Sequence, residues 1–245
     1  MIRTEHIHKS FGKLTVLRDV NVRLERGRAV AVIGPNGSGK TTLIKILLGL
    51  VIPDAGTVYF DNQPVQGAYQ YRTQIGYMPQ IGHYPANLKI RQLFEMMKDL
   101  RKGNSNTLDE DLLDTFGLRA MFDKALGTLS GGTKQKVSAA LAFLFDPPVL
   151  ILDEPTAGLD PLASELLKEK IQREHAKGKL ILITSHVMAD LDDLATDVLY
   201  LQDGQVQFYK PMDELKTETG ERKLNRVIAR LMTQAASQPN FPKVS

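Results

Sequence analysis

The chain contains no cysteine, which excludes disulfides, iron–sulfur clusters and thiolate metal sites and fits a reducing compartment. Long apolar runs are also missing. The longest, Ala139 to Phe145, falls far short of the ~18 consecutive apolar residues that a membrane helix needs. Work at a membrane would therefore require a partner to hold the chain there. The opening residues, among them Arg3, Glu5, His6 and Lys9, do not follow the pattern of a signal peptide. Charge of one sign is scarce too: Lys+Arg 31 against Asp+Glu 28 gives a formal net charge of +3, with no dense basic block. That balance neither demands nor rules out nucleic acid or an anionic membrane surface. There is no internal repeat, so a tandem-domain protein is excluded. What is present is 245 residues, 42% hydrophobic and 24% charged. This is the ordinary mix of one globular domain with room for a modest subdomain, and neither a disordered nor a fibrous composition.

The first third reads as strands and turns. Val20, Val22 and Leu24 alternate with Asn21, Arg23 and Glu25, the period of a strand with one wet face. Ala29 to Ile33 is an unbroken apolar run ending at Gly34, the pattern of a strand buried on both faces. Helical spacing follows over Thr41 to Leu50 and stops at Gly49, Pro53 and Gly56. Buried strand, glycine loop and helix open a parallel α/β unit. Further buried strands are predicted at Val149 to Leu152, running into Asp153, and at Leu180 to Thr184, running into Ser185 and His186. Residues 81–146 form a helix-rich insertion, in which Ile90, Leu93, Phe94, Met97 and Leu100 share one helical stripe. Asp111 to Phe116 and Ser130 to Phe145 also read as helices. A last strand is expected at Gln205 to Tyr209, then a C-terminal helix at Glu221 to Met232 with Leu224, Val227, Ile228 and Leu231 along its stripe. Ala235 to Ser245, with Pro239 and Pro242, is expected to fray.

Three places carry chemistry. Gly34-Pro35-Asn36-Gly37-Ser38-Gly39-Lys40-Thr41-Thr42 matches G-x-x-x-x-G-K-[ST] and sits between a buried strand and a helix, the context that makes this pattern a phosphate-binding loop. Its glycines let backbone N–H groups curl around a polyphosphate at the positive end of the helix. Lys40 would reach the β- and γ-phosphates and the Thr41 hydroxyl would ligate Mg²⁺. Asp153 and Glu154 are adjacent carboxylates at an apolar strand's tip, costly unless something cationic meets them. Asp153 fits the Mg²⁺-associated carboxylate of a P-loop enzyme, and Glu154 a group that takes a proton from an attacking water or orients it. Taken alone, the pair is equally a solvated acidic helix cap. Leu129-Ser130-Gly131-Gly132-Thr133 precedes a helix, with Ser130 as N-cap. By itself this is more simply a capped helix than a second anion site.

The ordered set resembles the ATP-binding-cassette (ABC) ATPases over about residues 1–210. Gly34 to Thr42 is similar to that family's Walker A loop, Gln80 after Tyr77-Met78-Pro79 to its Q-loop, Leu129 to Thr133 to its signature, and Val149 to Glu154 to its Walker B strand. Ala157-Gly158-Leu159-Asp160 is similar to the D-loop, and His186 to the switch histidine. The resemblance implies an α/β fold: a P-loop NTPase core with a mainly parallel sheet, an N-terminal antiparallel β portion and a helical insertion subdomain. Residues 1–80 and 147–210 would be the ATP-binding core, 81–146 the helical subdomain with the signature, and 211–245 a C-terminal helix and tail. It implies ATP and Mg²⁺ as cofactors, with Thr41, Gln80 and Asp153 at the metal and Glu154, His186, Lys40 and Gln80 in catalysis. Phe11 sits where the family stacks an aromatic on adenine, with Val16 beside it; the other expectation for Phe11 is a core residue. The signature departs from the usual LSGGQ and its following Q-R pair at Thr133 and Lys136, while Ser130, Gly131 and Gly132 are intact.

The resemblance further implies that the signature of one copy closes over the Walker A loop of a second. Lys40, Thr41, Asp153, Glu154, Gln80 and His186 would then act in cis, and Ser130, Gly132 and Asp160 in trans. A homodimer is expected, driving a separate transmembrane permease from the cytoplasmic face of the membrane. The permease would dock in a groove near Ile81 to Leu88 and the 90–100 helix, with His83 and Tyr84 as contacts, unless Tyr84 packs on its own helix. The alternative is a soluble ABC ATPase acting on DNA or ribosomes. The chain has no sustained heptads, zinc-binding cysteines or second cassette to support it, so no nucleic-acid partner is expected. A guanine nucleotide is disfavoured because no Asn-Lys-x-Asp element follows the loop. Glu154 and His186 argue against a regulator that binds ATP without cleaving it. Leu129 to Pro161 also resembles the ATP-binding subunits linked to copper processing and nitrous-oxide-reductase maturation. That likeness lies in an ATP-handling stretch remote from any cargo, and the His6 and His8 pair is expected as a solvated surface pair.

Overall fold

The computed structural model describes residues 1–101 and 108–236. The first two strands, β1 (Ile2–Phe11) and β2 (Leu14–Leu24), form a hairpin closed at Phe11 and Leu14. With β4 (Ala55–Phe60) and β5 (Gln63–Pro64) they make a four-stranded antiparallel sheet in the order β2-β1-β4-β5. The predicted alternation holds: Val20, Val22 and Leu24 are buried while the residues between them face water. His6 adopts a left-handed conformation where β1 slips register, and its Nδ1 lies 2.7 Å from Asp19.

The second sheet has six strands in the order β10-β9-β3-β8-β7-β6. They are β3 (Ala29–Ile33), β6 (Ile75–Met78), β7 (Val149–Asp153), β8 (Leu180–Thr184), β9 (Asp197–Gln202) and β10 (Gln205–Pro211). All neighbours are parallel except β9 and β10. Every residue of β3, β7 and β8 is buried, which is why each reads as a continuous apolar run.

Alternation along β3 divides its residues between two cores. Val30 and Val32 face α1 (Lys40–Leu47) and the antiparallel sheet, packing with Leu43, Leu47, Val20 and Phe60. Ala29, Ala31 and Ile33 face the helices on the other side. Those helices are α2 (Ile90–Leu100), α3 (Asp111–Thr115), α4 (Gly131–Phe143), α5 (Pro161–Ala176), α6 (Met188–Leu194), α7 (Met212–Thr219) and α8 (Leu224–Ala236). Among the described residues, no helix is long and apolar enough to cross a membrane.

The C-terminal helix begins three residues later than expected, at Leu224, because the Leu224 N–H is capped by the Asp192 carboxylate at 2.9 Å. The expected stripe on α2 is correct for Ile90, Leu93, Phe94 and partly for Met97. Leu100 departs from it and is 71% exposed. It lies at the stripe's edge on the last turn, where Arg101 instead covers the Phe145 ring at 4.5 Å and donates to the Thr73 carbonyl at 2.8 Å. The fraying expected for 235–245 falls mainly on residues outside those described.

A buried ionic knot ties the far end of α5 to its surroundings. The Glu174 carboxylate is fully buried, 3.1 Å from Lys170 Nζ and 2.8 Å from Lys177 Nζ, and paired also with Lys179. Lys170 in turn meets Asp109 at 2.5 Å, and Lys179 meets Asp146. Burial by itself would raise the Glu174 carboxyl, but the lysines outweigh it and hold the group at about 2, against an ordinary 4.5. Because the folded value is depressed, its stabilisation is complete above pH 4.5 and is lost as pH falls toward 2. Glu174→Gln strands buried lysines and is expected to cost about 3 kcal/mol at pH 7. The gap between variant and wild type should close with acid in urea titrations at pH 7 and pH 3.

Candidate functional site

The phosphate-binding loop leaves the carboxyl end of β3 and enters α1 at Lys40. The α1 N-cap, Gly39, is left-handed and makes no side-chain cap, so the first N–H groups of the helix remain free for an anion. Gly34 is required by space as well as by conformation. At its φ of 152°, an added Cβ would lie 1.9 Å from the Leu201 carbonyl oxygen. Lys40 Nζ donates to the carbonyls of Gly34 at 2.7 Å and Pro35 at 3.0 Å. Burial lowers the Lys40 pKa, while Glu154 and Asp153 act in the opposite direction. Pro35, Asn36, Gly37 and Thr41 are exposed, and Thr42 is half-buried in the first turn. Among the described residues, the buried Ser38 hydroxyl has no hydrogen-bond partner, an anomaly that a bound phosphate oxygen would remove.

Two strands away, β7 ends at Asp153, which is buried and accepts a hydrogen bond from Thr184 Oγ1 at 2.5 Å. Glu154 then turns sharply, with φ at 54°. A left-handed glutamate stores about 1–3 kcal/mol of strain and persists only where its surroundings hold it. Here its N–H donates to the Thr184 carbonyl at 3.1 Å, and Gln135 Nε2 donates to its carbonyl at 3.2 Å. The turn brings the carboxylate to His186, whose backbone N–H donates to Oε2 at 3.1 Å and whose Nε2 lies 3.3 Å from Oε1. Gln80 is exposed two residues beyond β6, in which Met78 is in register with Leu152 of β7. The strands β6, β7, β8 and β3 are consecutive neighbours running parallel. Gln80, Asp153, Glu154, His186 and the loop from Gly34 therefore emerge along one carboxyl edge, where open α/β sheets bind ligands.

Phe11 is 52% exposed at the hairpin end, which removes the core alternative. Its ring lies 5.3 Å from Lys9 Nζ. Val16 is half-buried on β2, and its carbonyl borders Gly39 closely enough to sit 2.9 Å from an added Cβ. Phe11 and Val16 thus lie on the hairpin whose second strand flanks the loop.

The Ser130 to Thr133 segment begins α4. Ser130 is exposed and caps the helix, its Oγ accepting from the Thr133 N–H at 3.2 Å and lying 2.9 Å from Thr133 Oγ1. Gly131 has open space around it, whereas a Cβ on Gly132 would meet the Gly158 carbonyl at 2.7 Å. The signature start therefore packs directly on the Ala157 to Asp160 turn. Asp160 caps α5 by accepting from the Ala163 N–H at 2.9 Å and pairs with Lys136 at 2.7 Å. Lys136, unusual against the family pattern, keeps a cationic link between the two segments.

Sequence reasoning overlooked Thr184 and Gln135. Thr184 looked like the end of a buried strand, and only the register of β7 with β8 shows that its hydroxyl holds Asp153. Gln135 is a buried amide on a helix, a signal that appears only once burial is known. In the expected permease groove, His83 and Ile81 are exposed. Tyr84 is half-buried and packs against the helical core, where burial raises its hydroxyl pKa. Tyr84 is thus a packing residue of the helical core.

A family model described as ABC transporter matches residues 17–157. The chain is 35% identical to the Nod factor export ATP-binding protein I of Burkholderia lata over 204 residues, covering 82% of this chain and 67% of that protein. It is 33% identical to a lantibiotic transport ATP-binding protein of Streptococcus pyogenes over 215 residues, covering 87% and 92%. A solved ATP-binding subunit of an ABC transporter superposes with a TM-score of 0.86 at 30% identity, covering 95% of this chain and 99% of that one. A dimeric post-hydrolysis cassette bound to ADP and Pi shares the fold, with a TM-score of 0.75 at 24% identity over 86% of this chain and 99% of that one. Neither relative is named for copper. The chain belongs to the ABC transporter family, as an ATP-binding subunit that hydrolyses ATP.

Proposed function

We propose that two copies of this chain close head to tail over two ATP molecules and that the cycle of closure and hydrolysis drives an exporter. The observation that carries this is the hydrogen-bonded Glu154–His186 pair on the same strand edge as the Lys40 loop. In each site the loop amides of Gly34 to Thr42 and the Lys40 ammonium hold the β- and γ-phosphates. Lys40 exchanges its present carbonyl partners for phosphate oxygens. Phe11 stacks on the adenine with Val16 at its edge. Glu154 accepts a proton from water as its oxygen attacks the γ-phosphorus in line and the bond to the bridging oxygen of the departing ADP breaks. His186, already bonded to Glu154, positions that carboxylate. Ser130, Gly131 and Gly132 of the other copy supply donors to the γ-phosphate, and Asp160 aligns the closing edge.

The residues fit Mg²⁺. Asp153 is buried with lone pairs left over after its bond to Thr184, and with the Thr41 hydroxyl and the Gln80 amide oxygen it forms the hard-oxygen set that this ion prefers. When bound, the ion neutralises charge on the phosphate oxygens.

Residues 1–80 and 147–210 serve as the ATP-binding core, 81–146 as the helical subdomain that presents the signature, and 211–245 as a C-terminal extension. The partner is a separate transmembrane permease that holds the cassette at the cytoplasmic face of the membrane. The names of the relatives, Nod factor export and lantibiotic transport, favour export over a link to copper. The test is ATP-dependent dimerisation and phosphate release by the purified chain, alone and with its permease. Pairing in ATP and release of phosphate are expected. A chain that does neither, even with the permease, contradicts the proposal.

Phe11→Ala removes a stacking face from an exposed position, so folding should be unaffected. It is expected to raise KM for ATP about tenfold, the equivalent of one lost base–aromatic contact of about 1–3 kcal/mol, with kcat nearly unchanged. Steady-state ATPase kinetics measure both.

A further inference from the structure

We propose that Thr133 is a positioning residue that aims the Ser130 hydroxyl as a hydrogen-bond donor across the dimer interface. The inference rests on the assignment of Ser130 to the γ-phosphate of the other copy. A serine hydroxyl has one proton to donate and two lone pairs with which to accept. In this chain both lone pairs are within reach of a single residue. Ser130 Oγ accepts from the Thr133 N–H at 3.2 Å and lies 2.9 Å from Thr133 Oγ1. When the Thr133 hydroxyl donates in that contact, the accepting capacity of Ser130 is filled and only its O–H is left over. A phosphate oxygen accepts and cannot donate, so a serine in that state is already set for it.

The surroundings agree with this orientation. Ser130 and Gly131 are exposed, and a Cβ at Gly131 would meet no neighbour within 4 Å. The side of the helix start that an incoming phosphate would approach is therefore open. Thr133 is half-buried beneath it, and its β-branched side chain has few rotamers to choose among. A donor fixed in direction before the phosphate arrives needs no reorganisation when charge develops, which is where a preorganised dipole is most effective. The usual glutamine at this position would place its polar atoms two bonds further from the backbone. Thr133 is on this view a functional replacement for the family residue.

The test is a cycle of full-length variants assayed for ATP turnover: Thr133→Val, Thr133→Ser, Ser130→Ala and the double variant Ser130→Ala/Thr133→Val. Valine keeps the shape and the backbone cap while deleting the hydroxyl. Thr133→Val is expected to lower kcat about tenfold with KM for ATP little changed, less than the 10²–10³ seen when such a donor is removed outright, because here it loses only its aim. Thr133→Ser should restore most of the rate. In the Ser130→Ala background, Thr133→Val should have no further effect. An equal loss in both backgrounds, or no loss with Thr133→Val while Ser130→Ala is impaired, overturns the inference and leaves the ATP sandwich standing. Full activity of Ser130→Ala removes the sandwich assignment as well. Should Thr133→Val fold poorly by circular dichroism, Thr133→Ala is put through the same cycle, with ATP-dependent dimerisation in a Glu154→Gln background as the second readout.

Discussion

Glu154→Gln is expected to bind ATP as the wild type does, to release phosphate about 10²–10⁴-fold more slowly, and to accumulate as a dimer in ATP. The magnitude is that of removing a general base. The amide has nearly the shape of the carboxylate, and the bonds that hold the backbone turn are to Thr184 and Gln135 rather than to the side chain. The left-handed conformation at residue 154 should therefore survive. The amide oxygen still accepts from the His186 N–H, which donates to Glu154 Oε2 in the wild type. What disappears is the capacity to take a proton. Size-exclusion chromatography with and without ATP, beside a phosphate-release assay, separates the two effects. Turnover at the wild-type rate would remove Glu154 from the role of base.

Ser130→Arg should also abolish turnover, by a different route. The residue is exposed at the start of α4, so the larger side chain has room in the single chain. Loss of the N-cap costs only about 1 kcal/mol of stability. ATP binding to the loop from Gly34 should persist, because none of the contacts of Lys40 or Asp153 involves Ser130. In the closed pair, however, the arginine would occupy the space reserved for the facing γ-phosphate. The outcome expected is a folded protein that binds nucleotide and neither dimerises nor hydrolyses it. Equilibrium binding of a fluorescent ATP analogue, thermal melting and ATPase rate together check this.

The central strands and the loop were legible because their physics is one-dimensional. A strand buried on both faces must be almost wholly apolar: β3 is so throughout, and β7 and β8 are so up to Asp153 and Thr184 at their ends. The glycines at 34 and 39 are dictated by local backbone conformation. Elements whose buried faces contain polar residues were harder to see. The helix α5 buries Ala163, Leu167 and Ile171 together with Lys170 and Glu174, and those two charges break the apolar stripe that would have announced it. The strand β9 starts on the buried Asp197, a charged residue that does not announce a buried strand. At the site, the adjacent acids and the histidine were visible as residue types in order. Their meeting was not, because it depends on the positive φ of Glu154 and the register of β7 against β8. For Tyr84 the sequence left two readings open, a contact for a partner or packing on its own helix, and which applies depends on burial: the residue is half-buried against the helical core.

Mixing two impaired chains, Glu154→Gln and Ser130→Ala, neither of which adds bulk to the closing interface, offers the most direct test of an active site shared between copies. In a head-to-tail pair of one of each, one site combines both defects. The other joins an intact Lys40–Glu154 edge to an intact signature. The mixture is predicted to release phosphate faster than either chain does alone, with a maximum near equal proportions. A mixture no faster than its parts, under conditions where the two chains demonstrably associate, would contradict an active site built from two copies.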